Sequence, residues 1–119
     1  MAWSFSSDRP VYLQIAERIT KSVLSGEYVA GAQIPSVRQL ALEAAVNPNT
    51  VQHAFAELEN EGIIISKGTV GRYVTENTQI IETCREKMAE QLVKNFAENI
   101  RQLSITKEQA ISMIEGVDI

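Results

Sequence analysis

The chain has few of the residues that build disulfides, metal centres or membrane spans. Its 119 residues include one cysteine and one histidine, so an internal disulfide is excluded and a tetrahedral zinc site of the usual kind is not expected. The longest uncharged apolar runs, such as Ile63 to Ile65, are far too short to cross a bilayer. The N-terminus also lacks a basic start followed by an apolar segment. We therefore expect a soluble cytoplasmic protein with no cofactor, no metal and no membrane partner.

An excess of positive charge is also missing. The net charge at pH 7 is −4. Residues 1–75 contain six basic and seven acidic side chains, and residues 76–119 contain five and eight, so neither part is basic. A nucleic-acid-binding domain usually presents a basic stripe. Any DNA-binding role must therefore depend on a few well-placed groups.

The length and the motifs argue against an enzyme. A chain of 119 residues has room for one small domain and an appendage, which excludes a large enzyme with separate cofactor and substrate domains. It contains no recognisable nucleophile motif, glycine-rich phosphate loop or converging acid pair. We expect no catalytic residues.

Three helices are predicted in the first part of the chain. The first follows Pro10 and ends near Gly26, the second begins at Ser36, and the third begins at Asn47, because serine and asparagine are good N-caps. Since only residues 45–47 separate the last two, the sequence predicts a helix-turn-helix. The predicted buried faces consist of Tyr12, Ile15, Ala16, Ile19 and Val23, then Val37, Leu40, Ala41 and Ala44, then Val51, Ala54, Phe55 and Leu58.

A β-hairpin is predicted after the third helix. The runs 63–66 and 72–75 are rich in β-branched or aromatic residues, and a loop with two glycines joins them. Three helices followed by a hairpin form a winged helix-turn-helix. The predicted fold is therefore mainly α with a small β-hairpin, and residues 1–75 form the winged domain.

Residues 76–119 are predicted to form a short two-helix dimerisation tail. The run 77–103 would be a helix about 40 Å long, and Thr106 with Gln109 forms a capping-box pattern for a final short helix. The long helix exceeds the width of a small domain, so much of its apolar face should contact a second copy. The alternative is that this face packs on the chain's own winged domain. The predicted dimer contacts are Ile81, Cys84, Met88, Leu92, Phe96, Ile100 and Leu103.

The outward face of the third helix carries the candidate base-reading residues. If its apolar residues point inward, Asn49, Gln52 and His53 point outward. Asparagine and glutamine can make paired hydrogen bonds to adenine, and histidine can contact several base edges. Thr50 and the first-turn amides suit phosphate oxygens. The alternative is that these are ordinary solvated side chains, but the surrounding helix-turn-helix pattern favours DNA contacts.

Few cations accompany this face. Arg38, early in the second helix, could hold a phosphate or reach a base edge, and the alternative is an ion pair with Glu43. Lys67, Gly68 and Arg72 surround the predicted wing tip, where glycine allows close approach of the backbone to DNA and the cations neutralise phosphate charge.

Four runs carry a family resemblance: GAQIPSVRQLA at 31–41, VNPNTVQHA at 46–54, LENEG at 58–62 and GTVGRYV at 68–74. Residues 9–75 thereby resemble the N-terminal domain of GntR-family bacterial transcription regulators. The opening PVYLQI at 10–15 and the short helical tail are similar to the YtrA subfamily, whose effector domain is reduced to a few dimerising helices. The resemblance implies DNA contacts at Arg38, Asn47, Asn49, Thr50, Gln52, Lys67 and Gly68.

A function follows from this resemblance. It implies a sequence-specific DNA-binding transcriptional regulator, a homodimeric repressor on an inverted-repeat operator, controlling a transporter operon. The alternative, favoured by the low net basicity, is a winged-helix adaptor that docks proteins and does not bind DNA. A third possibility is that the protein also senses a small-molecule effector. Residues 76–119 leave little room for an enclosed pocket, which argues against it. Ala45 stands where helix-turn-helix units commonly have glycine, a replacement that is tolerable if the backbone of the turn stays right-handed, as we expect.

Overall fold

The computed structural model describes residues 3–119, so the first two residues of the expected winged domain lie outside the described part. Within it, the order of elements confirms a mainly helical fold with one hairpin, a winged helix-turn-helix followed by a two-helix tail. The elements are α1 (Val11–Leu24), α2 (Val37–Ala44), α3 (Pro48–Asn60), β1 (Ile64–Ser66), β2 (Arg72–Val74), α4 (Thr78–Gln102) and α5 (Lys107–Glu115).

The core of the winged part lies between α1, α2 and α3. Ile15 and Leu40 are 0% exposed and Phe55 is 1% exposed. The predicted buried faces are confirmed except at Tyr12 and Val37, which are only half-buried. Burying one large apolar side chain contributes roughly 1.5–3 kcal/mol. This packing fixes α3 by its apolar side and leaves the opposite side exposed.

Local hydrogen bonds set the starts of α2 and α3 as predicted. The Ser36 hydroxyl accepts from the Gln39 amide at 3.1 Å, and the Gln39 side chain accepts from the Ser36 amide at 2.9 Å, which is a complete capping box. At the start of α3, Asn47 Oδ1 accepts from the Asn49 amide at 2.8 Å. Both caps satisfy amides that have no partner within their helix.

The turn between α2 and α3 differs from expectation at one residue. Ala45 ends α2 with φ 59° and ψ 49°, which is a left-handed conformation, so the right-handed expectation is wrong. The physical reason is the sharp change of chain direction, which brings the Val46 amide to the Ala41 carbonyl at 3.0 Å. Glycine adopts this conformation freely, whereas alanine pays a steric penalty there.

The hairpin is confirmed and has an additional neighbour. Ile64 lies opposite Val74 and Ser66 lies opposite Arg72 in an antiparallel pair. The segment before α2 also pairs with β2: the Ile34 amide donates to the Arg72 carbonyl at 3.0 Å, and Gln33 forms a bridge with Tyr73. This third segment was not predicted, because it joins residues far apart in the chain. It anchors the hairpin beside the start of α2.

Contacts divide the chain into two compact units. The first ends at Glu82 and the second is Thr83–Ile119, so the division falls within α4, beyond residue 75 where the composition changes. The predicted long helix and the final short helix are both present. Thr106 and Gln109 form the predicted capping box. No residue of α4 is buried.

The described residues contain neither a helix suited to span a membrane nor a cluster of metal-ligating side chains. No helix in residues 3–119 combines the length and the apolar character that a membrane span requires. Within the same residues, no group of three or more histidine, cysteine, aspartate or glutamate side chains could hold a metal ion.

Candidate nucleic-acid interface

The outward side of α3 presents polar side chains to solvent. Asn49, Gln52 and His53 are exposed, while Val51 and Phe55 on the other side are 0% and 1% exposed. The side chain of Asn49 makes no hydrogen bond to any other described residue, so both its amide donor and its carbonyl acceptor are available. The helical period therefore places two amides and one imidazole on a single exposed surface.

The other two polar candidates, Asn47 and Thr50, lie at the start of α3, where they also make hydrogen bonds within the chain. Asn47 is exposed, but its Oδ1 already caps the helix through the Asn49 amide. Its side-chain amide group is still available as a donor. Thr50 is half-buried, and its backbone amide donates to the Asn47 carbonyl at 2.9 Å. The Asn47 side chain thus shapes this end of α3, whereas Thr50 contributes only its backbone amide there.

His53 does not stand alone on the surface. Its ring stacks on the ring of Tyr12, with centroids 3.5 Å apart and planes only 6° from parallel. Tyr12 belongs to α1, so this contact joins the start of α1 to the exposed side of α3. Sequence reasoning assigned Tyr12 to the core. Its polar hydroxyl and its place at the start of the apolar stripe were the available signals of a different role.

Arg72 lies on β2 and is engaged by side chains of α3. Its Nε donates to Glu59 Oε1 at 3.1 Å, and a terminal nitrogen of the guanidinium donates to Gln52 Oε1 at 3.4 Å. The guanidinium carbon also lies 5.2 Å from the centroid of the Phe55 ring. Both ion-pair side chains are about one-third exposed, since their values are 29% and 33%. The arrangement connects the hairpin to α3 and engages the side-chain oxygen of Gln52.

The wing tip carries one exposed cation. The Lys67 ammonium lies 4.6 Å from the centroid of the Tyr73 ring, which is a cation–π contact. Gly68 has φ +60°, and a side-chain carbon placed there would meet no atom within 4 Å. Gln33 supports the tip from outside the hairpin, because its side-chain amide donates to the Val70 carbonyl at 2.9 Å. No sequence pattern indicated this support.

A cleft lies between the start of α2, the middle of α3 and the wing. Its volume is about 300 Å³, and Arg38, Gln52, Val70 and Arg72 are among the residues that line it. Arg38 is exposed and forms no ion pair within the described residues, so the alternative pairing with Glu43 is not present. The structure thus brings together three of the predicted site residues, Arg38, Gln52 and Arg72. Asn49, His53, Lys67 and Gly68 lie outside the cleft lining.

The predicted dimer contacts form a partly exposed apolar face in the tail. Leu92, Phe96 and Leu103 are 62%, 39% and 71% exposed. The other four predicted residues of this face are half-buried: Ile81, Cys84, Met88 and Ile100. Large apolar side chains exposed in a row along one helix are unusual on a monomer surface and indicate an interaction site.

Comparison with known proteins shows which family the sequence of this chain matches. The family model described as "Bacterial regulatory proteins, gntR family" matches residues 11–74. The chain is 34% identical over 113 residues to the uncharacterized HTH-type transcriptional regulator YhcF of Bacillus subtilis, covering 95% of this chain and 91% of that protein. It is 41% identical over 88 residues to the HTH-type transcriptional repressor YtrA of the same organism, covering 72% and 68%.

One solved structure matches the fold of this chain over almost its whole length. A GntR family transcriptional regulator from Listeria monocytogenes superposes with a TM-score of 0.88 at 38% identity. The match covers 96% of this chain and 100% of that one. The similarity therefore includes the helical tail as well as the winged part.

Proposed function

The chain belongs to the GntR family of bacterial regulatory proteins, and we propose that it acts as a homodimeric repressor on an inverted-repeat operator. As a member of this family it is a DNA-binding transcription regulator and not an enzyme. The observation that carries the proposal is the exposed polar side of α3, where Asn49, Gln52 and His53 face solvent together. A helix with such a side, held by its apolar side to a compact core, suits the major groove.

The polar residues of α3 are proposed to read bases. The side-chain amide of Asn49 carries the donor and acceptor pair that matches an adenine edge in the major groove. Gln52 can offer the same pair when its oxygen, which accepts from Arg72 at 3.4 Å, turns to the base. His53 can add one hydrogen bond to a base edge or a phosphate. Asn47 and Thr50, at the N-terminal end of α3, would contact phosphates beside the groove.

The cations are proposed to hold the DNA backbone on both sides of α3. Arg38 is exposed and unpaired within the described residues, so it can bind a phosphate without first breaking an ion pair. Lys67 and Gly68 at the wing tip would contact the backbone or the adjacent minor groove. Arg72 can add a phosphate contact through its remaining nitrogen atoms, while Glu59 keeps part of its guanidinium engaged. With a net charge of −4, affinity must come mainly from these local contacts.

The homodimer is proposed to form through the apolar face of the tail. The α4 helix has 25 residues and is therefore about 38 Å long, and none of its side chains is buried within one copy. Pairing two such helices about a two-fold axis removes their apolar residues from water. Two winged parts held in this way would meet half-sites roughly 34 Å apart, one turn of DNA. Joining two weak contacts raises the overall affinity.

The direction of regulation is proposed from a relative. The YtrA protein of B. subtilis is named a transcriptional repressor and is 41% identical to this chain over 88 residues. A dimer bound across a promoter excludes the polymerase, which is the simplest mechanism of repression for a protein of this size. Control of a transporter operon, implied by resemblance to the YtrA subfamily, stays a prediction, and so does a small-molecule effector.

Footprinting of the full chain on the DNA upstream of its own gene tests the function. We expect a protected site with two-fold symmetry, and affinity that falls at least about fivefold in Asn49→Ala and Gln52→Ala, since each paired contact to a base contributes about 1–3 kcal/mol. Gln102→Ala is the matched control, because Gln102 is an exposed glutamine at the end of α4. If wild type and variants bind equally poorly at low salt, the repressor proposal fails and the adaptor alternative is favoured.

A further inference from the structure

Tyr12 departs from the other residues of the apolar stripe on α1. Ile15 and Ile19 follow it at helical spacing and are 0% and 1% exposed in the core. Tyr12 is only half-buried, and its ring lies parallel to the ring of His53 at a centroid distance of 3.5 Å. The ring of Tyr12 therefore packs against a residue of the polar side of α3.

The stacking geometry leaves the imidazole able to bind. A parallel stack uses the faces of the two rings, whereas histidine makes hydrogen bonds through nitrogen atoms at the ring edge. No described residue forms a hydrogen bond or ion pair with either nitrogen of His53. The imidazole is thus held by its face while both of its nitrogen atoms are available to a ligand.

Restraint of His53 matters because the side chain is exposed. The torsion that rotates an imidazole ring has a broad profile, so an exposed histidine samples many orientations. A side chain that must become ordered on binding reduces the affinity, and one that is already ordered does not. The contact with Tyr12 supplies this order before DNA is present.

We propose that Tyr12 is a positioning residue for DNA recognition, which fixes the His53 imidazole on the DNA-facing side of α3. This inference rests on the proposed function. It makes α1 a part of the recognition surface, although no atom of Tyr12 has to touch DNA. The aromatic ring makes the contact with His53, so the tyrosine hydroxyl is dispensable for this role.

The stack itself can be measured without DNA. His53 is the one histidine in the chain, so its two carbon-bound ring protons give unambiguous NMR signals. We expect the ring current of Tyr12 to shift these signals upfield in wild type and in Tyr12→Phe. In Tyr12→Leu, which keeps apolar bulk and fold but has no ring, the signals should return to the positions of an exposed histidine. Unshifted signals in the wild type overturn the inference.

Binding of the full chain to a duplex carrying the footprinted site tests the consequence. We expect Tyr12→Leu and His53→Ala each to weaken binding about threefold to tenfold, as loss of one pre-ordered contact predicts. The double variant should bind as His53→Ala does, because Tyr12 acts only through His53. Tyr12→Phe should stay within about twofold of wild type.

Each other outcome has a definite meaning. If Tyr12→Leu binds as tightly as wild type, the inference is overturned while the proposed function stands. Additive losses in the double variant, or a loss in Tyr12→Phe equal to that in Tyr12→Leu, overturn it as well. If the wild type binds no upstream DNA, the proposed function itself fails and the positioning role fails with it.

Discussion

The Nε atom of Arg72 donates a hydrogen bond to Glu59 Oε1 at 3.1 Å, which ties the hairpin to α3. The same guanidinium reaches Gln52 and lies over the ring of Phe55. The wing and α3 are thereby joined by a side-chain link as well as by the chain itself. The relative orientation of these two elements, which we propose to face DNA, depends in part on this one arginine.

Replacing Arg72 tests the link. Arg72→Lys keeps the positive charge but loses the planar group that contacts Glu59, Gln52 and Phe55 together. We expect the free energy of unfolding to fall by about 1 kcal/mol, since the pair is partly exposed to solvent. Urea denaturation measures this. Arg38→Lys is the control and should change stability by less than about 0.5 kcal/mol; equal effects of the two variants would contradict the link.

The salt dependence of DNA binding tests the role of Arg38. Each phosphate contact contributes about 0.9 to the slope of log K against log salt. Because a dimer presents two copies of Arg38, Arg38→Ala should make the slope shallower by about 2. Anisotropy titrations over a range of salt concentrations give the slope. Lys94→Ala removes an exposed cation from the tail and should leave the slope unchanged. An unaltered slope in Arg38→Ala would exclude a phosphate contact.

Ala45 offers a simple stabilising substitution. Its φ of 59° lies in the left-handed region, where a non-glycine residue pays roughly 1–2 kcal/mol. We expect Ala45→Gly to raise the free energy of unfolding by about 0.5–1 kcal/mol, because the flexibility of glycine in the unfolded chain offsets part of the gain. Ala56→Gly, at an exposed position within α3, should instead destabilise by about 1 kcal/mol. Thermal melts distinguish the two, and a destabilised Ala45→Gly would refute the argument.

Two glycines of the wing should differ in their tolerance of alanine. At Gly71, with φ +132°, an added side-chain carbon would lie 2.7 Å from Gln33 Nε2, and Gln33 would have to leave the Val70 carbonyl. Gly71→Ala should therefore cost about 2–3 kcal/mol through strain and loss of wing support. Gly68→Ala should cost only about 1 kcal/mol, since its φ is +60° and its surroundings are open. Urea denaturation of both variants checks the order, and equal losses would contradict it.

Light scattering checks the proposed dimer. We expect a mass of twice 13.2 kDa for the wild type. Leu92→Glu places a charge in the apolar face, whose leucine is 62% exposed in one copy, and should shift the mass toward 13.2 kDa. Lys94→Glu is the matched control, because residue 94 lies about 200° around the helix from residue 92. A wild type that is monomeric at micromolar concentration would remove the dimer.

Much of the fold could be predicted from the sequence because its signals are local. The caps at Ser36 and Thr106 need only a partner three residues away, and both were predicted and are present. The exposed side of α3 follows from the helical period once Val51 and Phe55 are known to be apolar. These features depend on residues within one or two turns of one another, so no tertiary information was required.

The functional detail was less predictable. The sequence predicted Tyr12 on the buried face of the first helix and Arg72 beside the wing tip, and neither description is complete. Tyr12 meets His53 and Arg72 meets Glu59 only because separate elements pack side by side. Gln33 reaches the wing for the same reason. No periodicity or capping rule reports such contacts between distant parts of the chain.

The sequence by itself determined which segments become helices and strands, which side of α1, α2 and α3 is buried, and which family the winged part resembles. Only the tertiary structure decided which residues Tyr12, Gln33 and Glu59 contact, and that Ala45 is left-handed. The physical reason is the range of the interactions. Hydrophobic periodicity and capping act over a few residues, whereas stacking, ion pairing and chain reversal depend on the three-dimensional path of the backbone.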